Sequence, residues 1–412
     1  MISILDNDEL YSSTQKAQIH LNENKSTILS TFVFFVFIFD SGGGLNLRNI
    51  GLILILMLLI YETFFNHGAK NINKYFLLFY CGSLSFLLAS VIIALLNRAT
   101  FVNANLHNFG LYSLLPFYIL AKNRYLTING YLKSVNIFCA IVLILFFGRL
   151  FGIAPVVQIF GFIATRADGF FRYVQFANSP LVIPNVYFQG MLATVPAAVI
   201  MVSQKKFKSF ALVMLTLFIA PSRFGVFVCI LFFLILYIKK IYIIIFASVV
   251  FVLSMILFEI PVFVDFLDIF DRTTYGHVVR TGHLESILFL FTSHLPYFII
   301  GQGPGTMFFS LGFGSYTDSV EISHLDFIRK YGILYFIVLN IAFFYLMHKL
   351  YKKSILSKQL TYGLLAHYVV AASNPVLLSL PFMMFLSVCI VTSEADRRLY
   401  KNEKYLFTRN GI

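Results

Sequence analysis

The sequence consists of long apolar runs separated by short polar breaks, and this alternation limits the possible folds more than any other feature. Hydrophobic residues occupy 59% of the 412 positions and charged residues 12%, which is about half the charged share of a soluble domain. Runs this apolar would need to avoid water on every face, a condition that is met where lipid is the solvent. The sequence therefore predicts an all-α, polytopic integral membrane protein.

The apolar runs and their polar breaks predict about twelve membrane-spanning helices, since each run approaches the length that crosses a bilayer. The predicted spans are residues 27–40, 49–66, 75–96, 108–121, 134–155, 186–203, 207–220, 222–238, 241–260, 333–349, 359–373 and 376–392. They form a single membrane domain, 27–392, between an N-terminal tail, 1–26, and a C-terminal tail, 393–412.

Two predicted loops, 156–185 and 261–332, are much longer than the others. The larger loop has an apolar stretch of its own, 284–300, which is interrupted by Ser293, His294 and Pro296. We interpret this stretch as short helix that lies against the membrane or re-enters it, because a further span would reverse the sidedness of the lysines that follow. Loops of this size between packed helices are commonly functional.

Basic residues divide unequally between the two predicted faces. If the N-terminus is cytoplasmic, the tails and the loops after even-numbered spans hold 21 of the 31 Lys and Arg residues, and the other face holds ten. Cytoplasmic loops carry an excess of this kind, so both termini are expected in the cytoplasm. The net charge of +13 therefore reflects membrane topology, and no nucleic-acid partner is expected.

The ten external cations differ in type from the internal ones. Nine of the ten are arginine, whereas the internal set has seventeen lysines and four arginines. Lysine is a hydrated point charge, but the planar guanidinium of arginine binds phosphate through paired hydrogen bonds. Any one of these arginines can be an ordinary interfacial residue. Their enrichment as a set favours an anionic ligand on the external side.

Other patterns carry less information. The four cysteines lie within apolar runs without metal-site spacing, so neither a metal nor another cofactor is expected. The segment from Gly301 to Gly305 lacks the Gly-Lys-Ser/Thr of a phosphate loop, and we predict a tight turn there. Asp265, Asp268 and Asp271 lack the closing Glu of a calcium loop and are expected on a solvated helix face.

Four external segments, taken in order, are similar to a known family. They are Arg166-Ala-Asp-Gly-Phe-Phe with Pro184-Asn185, Pro221-Ser-Arg-Phe-Gly225, Arg280 followed by His294-Leu-Pro-Tyr-Phe-Ile-Ile-Gly-Gln-Gly-Pro-Gly305, and Glu321-Ile-Ser-His-Leu-Asp-Phe-Ile-Arg-Lys-Tyr-Gly332. In this order and on this face they resemble the bacterial O-antigen polymerase and O-antigen ligase superfamily of membrane glycosyltransferases. The resemblance covers roughly residues 130–350.

The resemblance implies a reaction and its partners. Members of the superfamily transfer an undecaprenyl-diphosphate-linked glycan to an acceptor hydroxyl at the periplasmic face of the bacterial inner (cytoplasmic) membrane, without a metal. The implied partners are this lipid-linked oligosaccharide and membrane lipid, with a chain-length regulator protein as a further candidate. By motif match, Arg223 and Arg280 are the first candidates to bind the diphosphate, and Arg166 and Arg172 are the next.

The acceptor hydroxyl also needs a proton acceptor within hydrogen-bond reach. The last family motif usually carries a histidine eleven residues before the glycine that precedes the next span. Here that spacing falls on Glu321, and His324 lies about one helical turn later. The sequence leaves both as candidate catalytic bases. It also leaves open whether Asp326 orients His324 or pairs with Arg329.

Three functions are consistent with these features. A polymerase joins a growing lipid-linked chain to a lipid-linked repeat unit, and a ligase transfers chains to a lipid A core or to protein. We expect a polymerase, because polymerases are extremely divergent and the motifs here are weak. The non-enzyme alternative is a flippase or secondary transporter, whose site would have ionisable groups near the membrane midplane. Only Glu62 is expected deep in a span, which disfavours transport.

Overall fold

The computed structural model describes most of the predicted membrane domain and is predominantly helical. It describes residues 26–41, 43–65, 72–166, 170–175, 182–220, 222–237, 275–320, 322–372, 374 and 376–394. Four helices are long and apolar enough to cross a membrane, namely Leu47–Phe64, Lys74–Leu96, Ile128–Leu150 and Ser323–Tyr351. The chain is therefore an all-α membrane protein, as predicted, with two small β-hairpins added to the helices.

The described elements lie along the chain in the following order. The helices are α1 Ser26–Phe39, α2 Leu47–Phe64, α3 Lys74–Leu96, α4 Phe101–Tyr112, α5 Leu114–Lys122, α6 Ile128–Leu150, α7 Ala154–Arg166, α8 Thr194–Ser203, α9 Phe207–Ile219, α10 Arg223–Tyr237, α11 Tyr275–Ser293, α12 Leu295–Ile300, α13 Ser323–Tyr351, α14 Ile355–Ala371 and α15 Leu380–Glu394. The antiparallel hairpins are β1 Phe170–Gln175 with β2 Val182–Tyr187, and β3 Phe308–Ser310 with β4 Ser315–Thr317. The predicted span 241–260 lies outside the described residues.

The predicted span 186–203 differs most from the described structure. The segment begins within β2, continues as a 3₁₀ turn over Gln189–Ala193, and becomes α-helical only at Thr194. Pro196 explains the late start, because proline lacks an N–H donor and fits only the first turn of a helix. The predicted helix in 284–300 is likewise two helices, α11 and α12, which meet at His294.

The predicted fourth span is made of two helices, α4 and α5, which meet at Ser113. Pro116 causes the break, because it cannot donate the hydrogen bond that the carbonyl of Tyr112 would accept in a regular helix. The hydroxyl of Tyr80 on α3 donates to that carbonyl instead, at 2.9 Å. A side chain from a neighbouring helix thus satisfies a backbone group that lipid could not satisfy.

Helix ends fall into two groups according to which ends contact each other. In one group the contacts are Ser26 with Arg124, Glu62 with Tyr125, Tyr118 with Glu394, Val202 with Tyr237, Ser203 with Gln359 and Lys353 with Thr392. In the other group they are Phe39 with Phe188, Asn97 with Gln302, His107 with Asp318, Asn108 with Tyr331 and Ser323 with Asn374. Each contact joins two ends that the charge distribution assigns to the same face.

Helix α8 lies at the centre of the packed helices. Every residue from Thr194 to Val202 is buried, and α8 packs against α9, α10 and α14. Small side chains allow this close approach, as is common where helices meet in lipid. Ala197 and Ala198 are fully buried, and Gly363 of α14 packs against the side chain of Ile200.

We expect Ala198→Leu to lower the free energy of unfolding by about 1–3 kcal/mol, because the extra methyl groups overpack a filled site. The matched control is Ala89→Leu on the exposed face of α3, where the change should be within about 0.5 kcal/mol. Unfolding of the purified protein in detergent measures both values. Equal effects of the two substitutions would contradict the central position of α8.

Candidate functional site

Residues 301–320 and 322–332 of the large predicted loop form one unit against the ends of α3 and α4, with polar side chains buried inside it. The backbone N–H groups of Gln302 and Gly303 donate to the carbonyls of Arg329 and Lys330, at 2.7 and 3.1 Å. On the other side, the amide of Asn97 at the end of α3 donates to the carbonyl of Gln302 at 2.7 Å. The glycine-rich segment is therefore a turn, as predicted, and it is held between α3 and α13.

Two glycines of the family-like motifs face each other across this turn. Gly301 has φ 86° and ψ 162°, and Gly332 has φ 82° and ψ 160°, a backbone region that is essentially restricted to glycine. A Cβ on Gly301 would overlap the carbonyl of Lys330, and one on Gly332 would overlap the carbonyl of Ile299. Gly332 also interrupts the helical geometry of α13. The two motifs therefore pack together in the fold, although they are separate in the sequence.

The side chain of Arg329 is fully buried and organises this unit. Its Nε and Nη2 donate to Oδ1 of Asp326 at 2.9 and 2.7 Å, and Nη1 contacts Oε1 of Gln302 at 3.2 Å and the carbonyl of Thr306 at 3.1 Å. Nη2 also donates to the carbonyl of Asp318 at 2.6 Å. A guanidinium has five N–H donors, so this set leaves none for a ligand.

Arg329 and its neighbour Lys330 thus differ from the expectation that the external cations bind an anion. The guanidinium of Arg329 lies 4.4 Å from the ring centre of Phe308, and it joins the turn, the second hairpin and α13. The ammonium of Lys330 is 2.5 Å from Oδ2 of Asp326. Burying these charges carries a large desolvation cost that only close pairing offsets. Asp326 pairs with both cations, so both charges are balanced within the protein.

His107 and Asp318 lie at the rim of the same network. Nε2 of His107 is 3.2 Å from Oδ2 of Asp318, with side chains that are 24% and 32% exposed. The hydrogen bond from His107 lowers the pKa of Asp318 to about 2, so this carboxylate stays charged in ordinary conditions. Nδ1 of His107 is 3.5 Å from the ammonium of Lys330. No local motif marks these residues, and no sequence spacing relates positions 107 and 318, so neither residue can be identified from the sequence.

His324, a candidate base, lies on another side of α13. Its Nε2 donates to the carbonyl of Tyr368 on α14 at 3.0 Å, and the two rings are in contact. Asp326 does not orient His324, because its two oxygens bind Arg329 and Lys330. Nδ1 of His324 is buried and has no hydrogen-bond partner among the described residues. It retains a lone pair that can accept a proton. Glu321, the other candidate base, lies outside the described residues.

The four arginines predicted to bind diphosphate are described to different extents. Arg280 is partly buried on α11, the helix that packs against the second hairpin. Arg166 ends α7 and Arg223 begins α10, whereas Arg172 lies in β1 opposite Asn185. The side chains of these three lie outside the described part of the structure, as do Asp265, Asp268 and Asp271.

Comparison of the chain with known protein families, with curated proteins and with solved structures finds no match. The superfamily membership therefore remains a prediction that rests on the four motifs. Within the described residues, no group of three or more His, Cys, Asp and Glu side chains could hold a metal ion.

We expect Arg329→Lys to destabilise the protein strongly, because an ammonium has three donors where the guanidinium uses five. Each buried acceptor left without a partner costs about 1–3 kcal/mol. The matched control is Arg98→Lys at an exposed position at the end of α3, which should leave stability unchanged. Thermal unfolding in detergent compares the variants, and a wild-type midpoint for Arg329→Lys would contradict the role assigned to the guanidinium.

We expect Gly301→Ala to lower the free energy of unfolding by at least about 1–3 kcal/mol, the cost of a side chain in this backbone region. Gly161→Ala on α7 serves as the control, since a Cβ there would meet no atom within 4 Å. Limited proteolysis of the region after α11 should increase only in Gly301→Ala. Equal resistance of both variants would show that the turn tolerates a side chain.

Proposed function

We propose that this protein is an O-antigen or other surface-polysaccharide polymerase. It transfers a glycan from undecaprenyl diphosphate to a lipid-linked repeat unit at the external face of the bacterial inner membrane. One structural observation supports the proposal in addition to the motifs themselves. Two of the four family-like motifs are separated along the chain but pack against each other at Gly301 and Gly332. A shared site formed by the two motifs requires this proximity.

The proposed topology has twelve spans with both termini in the cytoplasm. Its support is the grouping of helix ends described above, which agrees with the division of lysines and arginines between the faces. In this topology the 301–332 unit and the ends of α3 and α4 lie on the external side. A lipid-linked glycan presented there would meet the unit without crossing the membrane.

The proposed reaction needs a group that neutralises the leaving diphosphate. Arg329 and Lys330 are paired internally, so we assign this role to Arg223 and Arg280 first, and to Arg166 and Arg172 next. Guanidinium groups stabilise charge that develops on the phosphate oxygens as the bond to the sugar breaks. The attacking oxygen of the acceptor bonds to the anomeric carbon, and the diphosphate departs with the bonding electrons, inverting the configuration of that carbon.

The proposed base takes the proton of the acceptor hydroxyl during this attack. His324 offers Nδ1, while its Nε2 remains bound to the carbonyl of Tyr368. For this role the hydroxyl must reach the space between α13 and α14, because Nδ1 is buried. Glu321 is the alternative base.

We expect His324→Gln to separate the two candidate bases, because the glutamine amide can still donate to the Tyr368 carbonyl but cannot accept the proton. If His324 is the base, kcat falls by about 10²–10⁴-fold with little change in the unfolding midpoint, and Glu321→Gln keeps its rate. The reverse pattern assigns the base to Glu321. Wild-type rates in both variants would exclude both residues.

We expect Arg223→Ala and Arg280→Ala to insert normally but to abolish chain elongation, because the diphosphate loses its neutralising partners. Cells carrying either variant should display a single repeat unit on the surface glycan, as resolved by gel electrophoresis. Arg98→Ala, at an exposed position, is the matched control and should retain normal polymer length. Normal polymer in both site variants would remove the proposed arginine mechanism.

A deletion strain distinguishes the three functions. Loss of a polymerase leaves one-repeat glycan on the surface, whereas loss of a ligase leaves no surface glycan while lipid-linked polymer accumulates. Loss of a flippase leaves the precursor on the cytoplasmic side. Only the first result supports the proposed function.

A further inference from the structure

The second hairpin, β3 with β4, has two chemically different faces. Along its first strand the side chains alternate, with Phe308 and Ser310 buried and their neighbours exposed. Met307 is 52% exposed, Phe309 47% and Leu311 58%. A strand with alternating burial has one face on a core and one face outward. Here the outward face is apolar.

The inner face holds the hairpin firmly on α11. Phe308 packs with Ile287 and Phe291 in a small core of its own. The hydroxyl of Ser310 is 2.6 Å from Nδ1 of His283, and the N–H of Leu311 donates to the hydroxyl of Ser286 at 2.8 Å. The outward face is therefore fixed, and its apolar side chains cannot turn inward.

The outward face continues across the tip and along β4. Phe313 is 43% and Tyr316 68% exposed, and the rings of Phe309 and Tyr316 meet edge to face at 5.6 Å. No charged residue occurs from position 306 to position 317. Short exposed strands that face water usually carry charges, which prevent pairing with other chains. This hairpin has the composition of a surface that meets lipid.

Both ends of the hairpin are attached to the outer end of α4. Before β3, Gly305 lies against the backbone of Asn103 and Ala104. After β4, Asp318 binds His107. This attachment places the charged network at the base of the hairpin and the apolar face beyond it.

Large apolar side chains are also exposed next to this attachment, on α3 and α4, beside the exposed polar residues Arg98 and Asn103. Leu96 at the end of α3 is 79% exposed, and Val102 and Leu106 on α4 are 65% and 66% exposed. On α11, Phe289 is 73% exposed. In an all-α membrane protein exposed apolar helix faces are covered by lipid, and the hairpin adds further exposed apolar side chains near them.

We propose that the β3–β4 hairpin is an interfacial anchor that inserts its outward face into the bilayer. Met307, Phe309 and Leu311 contact acyl chains, and Tyr316 lies at the level of the head groups. Apolar side chains and aromatic rings favour this position, since the rings combine an apolar body with affinity for the interface. His107 and Asp318 mark the polar boundary. On the proposed function, the same contact would hold α11 and Arg280 near the head groups.

The absence of tryptophan from the sequence allows a direct test. A single tryptophan is introduced as Phe309→Trp or as Tyr316→Trp, and the protein is reconstituted in phosphatidylcholine vesicles whose acyl chains are brominated. Ile92→Trp on the exposed face of α3 is the lipid-facing reference. Phe308→Trp on the buried face of the same strand is the matched control. Unfolding midpoints identify any variant that fails to fold, and each hairpin position is measured in a separate variant.

We expect emission from Phe309→Trp and Tyr316→Trp to be quenched by bromolipid and protected from aqueous iodide, as for Ile92→Trp. Tyr316→Trp should respond most to bromine near the head group, and Phe308→Trp should respond weakly to both quenchers. Quenching by iodide alone would show that the face meets water and would overturn the proposal. Protection from both quenchers would also overturn it, because a second copy of the chain would then cover the face. These quenching measurements do not require glycan transfer, so their outcome is independent of the proposed function.

Discussion

The guanidinium of Arg329 is the interaction on which the external part of this structure depends. It is buried, and the five hydrogen bonds that it makes join the glycine-rich turn, the second hairpin and the first turns of α13. An apolar side chain could fill the same space, but it could not satisfy the carbonyls that converge there. The cost of burying the charge is offset because Asp326 pairs with it directly. We interpret Arg329 as the residue that specifies one arrangement of these segments.

The second constraint is the lack of hydrogen-bonding partners in lipid. This constraint explains how much of the fold could be predicted from the sequence. Backbone groups within lipid must pair inside their own helix, so apolar runs indicate helices with little ambiguity. The four helices that are long enough to cross a membrane, α2, α3, α6 and α13, each overlap a predicted span. The breaks at Pro116 and Pro196 and the 3₁₀ turn at Gln189–Ala193 are harder to predict, because they depend on contacts such as Tyr80 with the carbonyl of Tyr112.

The candidate site was less predictable than the fold. The distribution of charge places Arg329 and Lys330 among the external cations, but no sequence pattern distinguishes an arginine that binds a ligand from one that pairs within the protein. That difference depends on acceptors supplied by Gln302, Thr306 and Asp318, which lie elsewhere in the chain. The predicted turn at Gly301 to Gly305 is confirmed, because its three glycines adopt the positive φ angles that favour glycine. The roles of His324 and Arg280 remain predictions.

Reconstitution of the purified protein in vesicles with undecaprenyl-diphosphate-linked repeat units tests the central claim most directly. The vesicles contain EDTA, and no other protein is present. We expect a ladder of longer lipid-linked glycans with release of undecaprenyl diphosphate for the wild-type protein, and no ladder for Arg280→Ala. Repeat units that stay single with the folded wild-type protein, or elongation that Arg280→Ala leaves unchanged, would contradict the central claim.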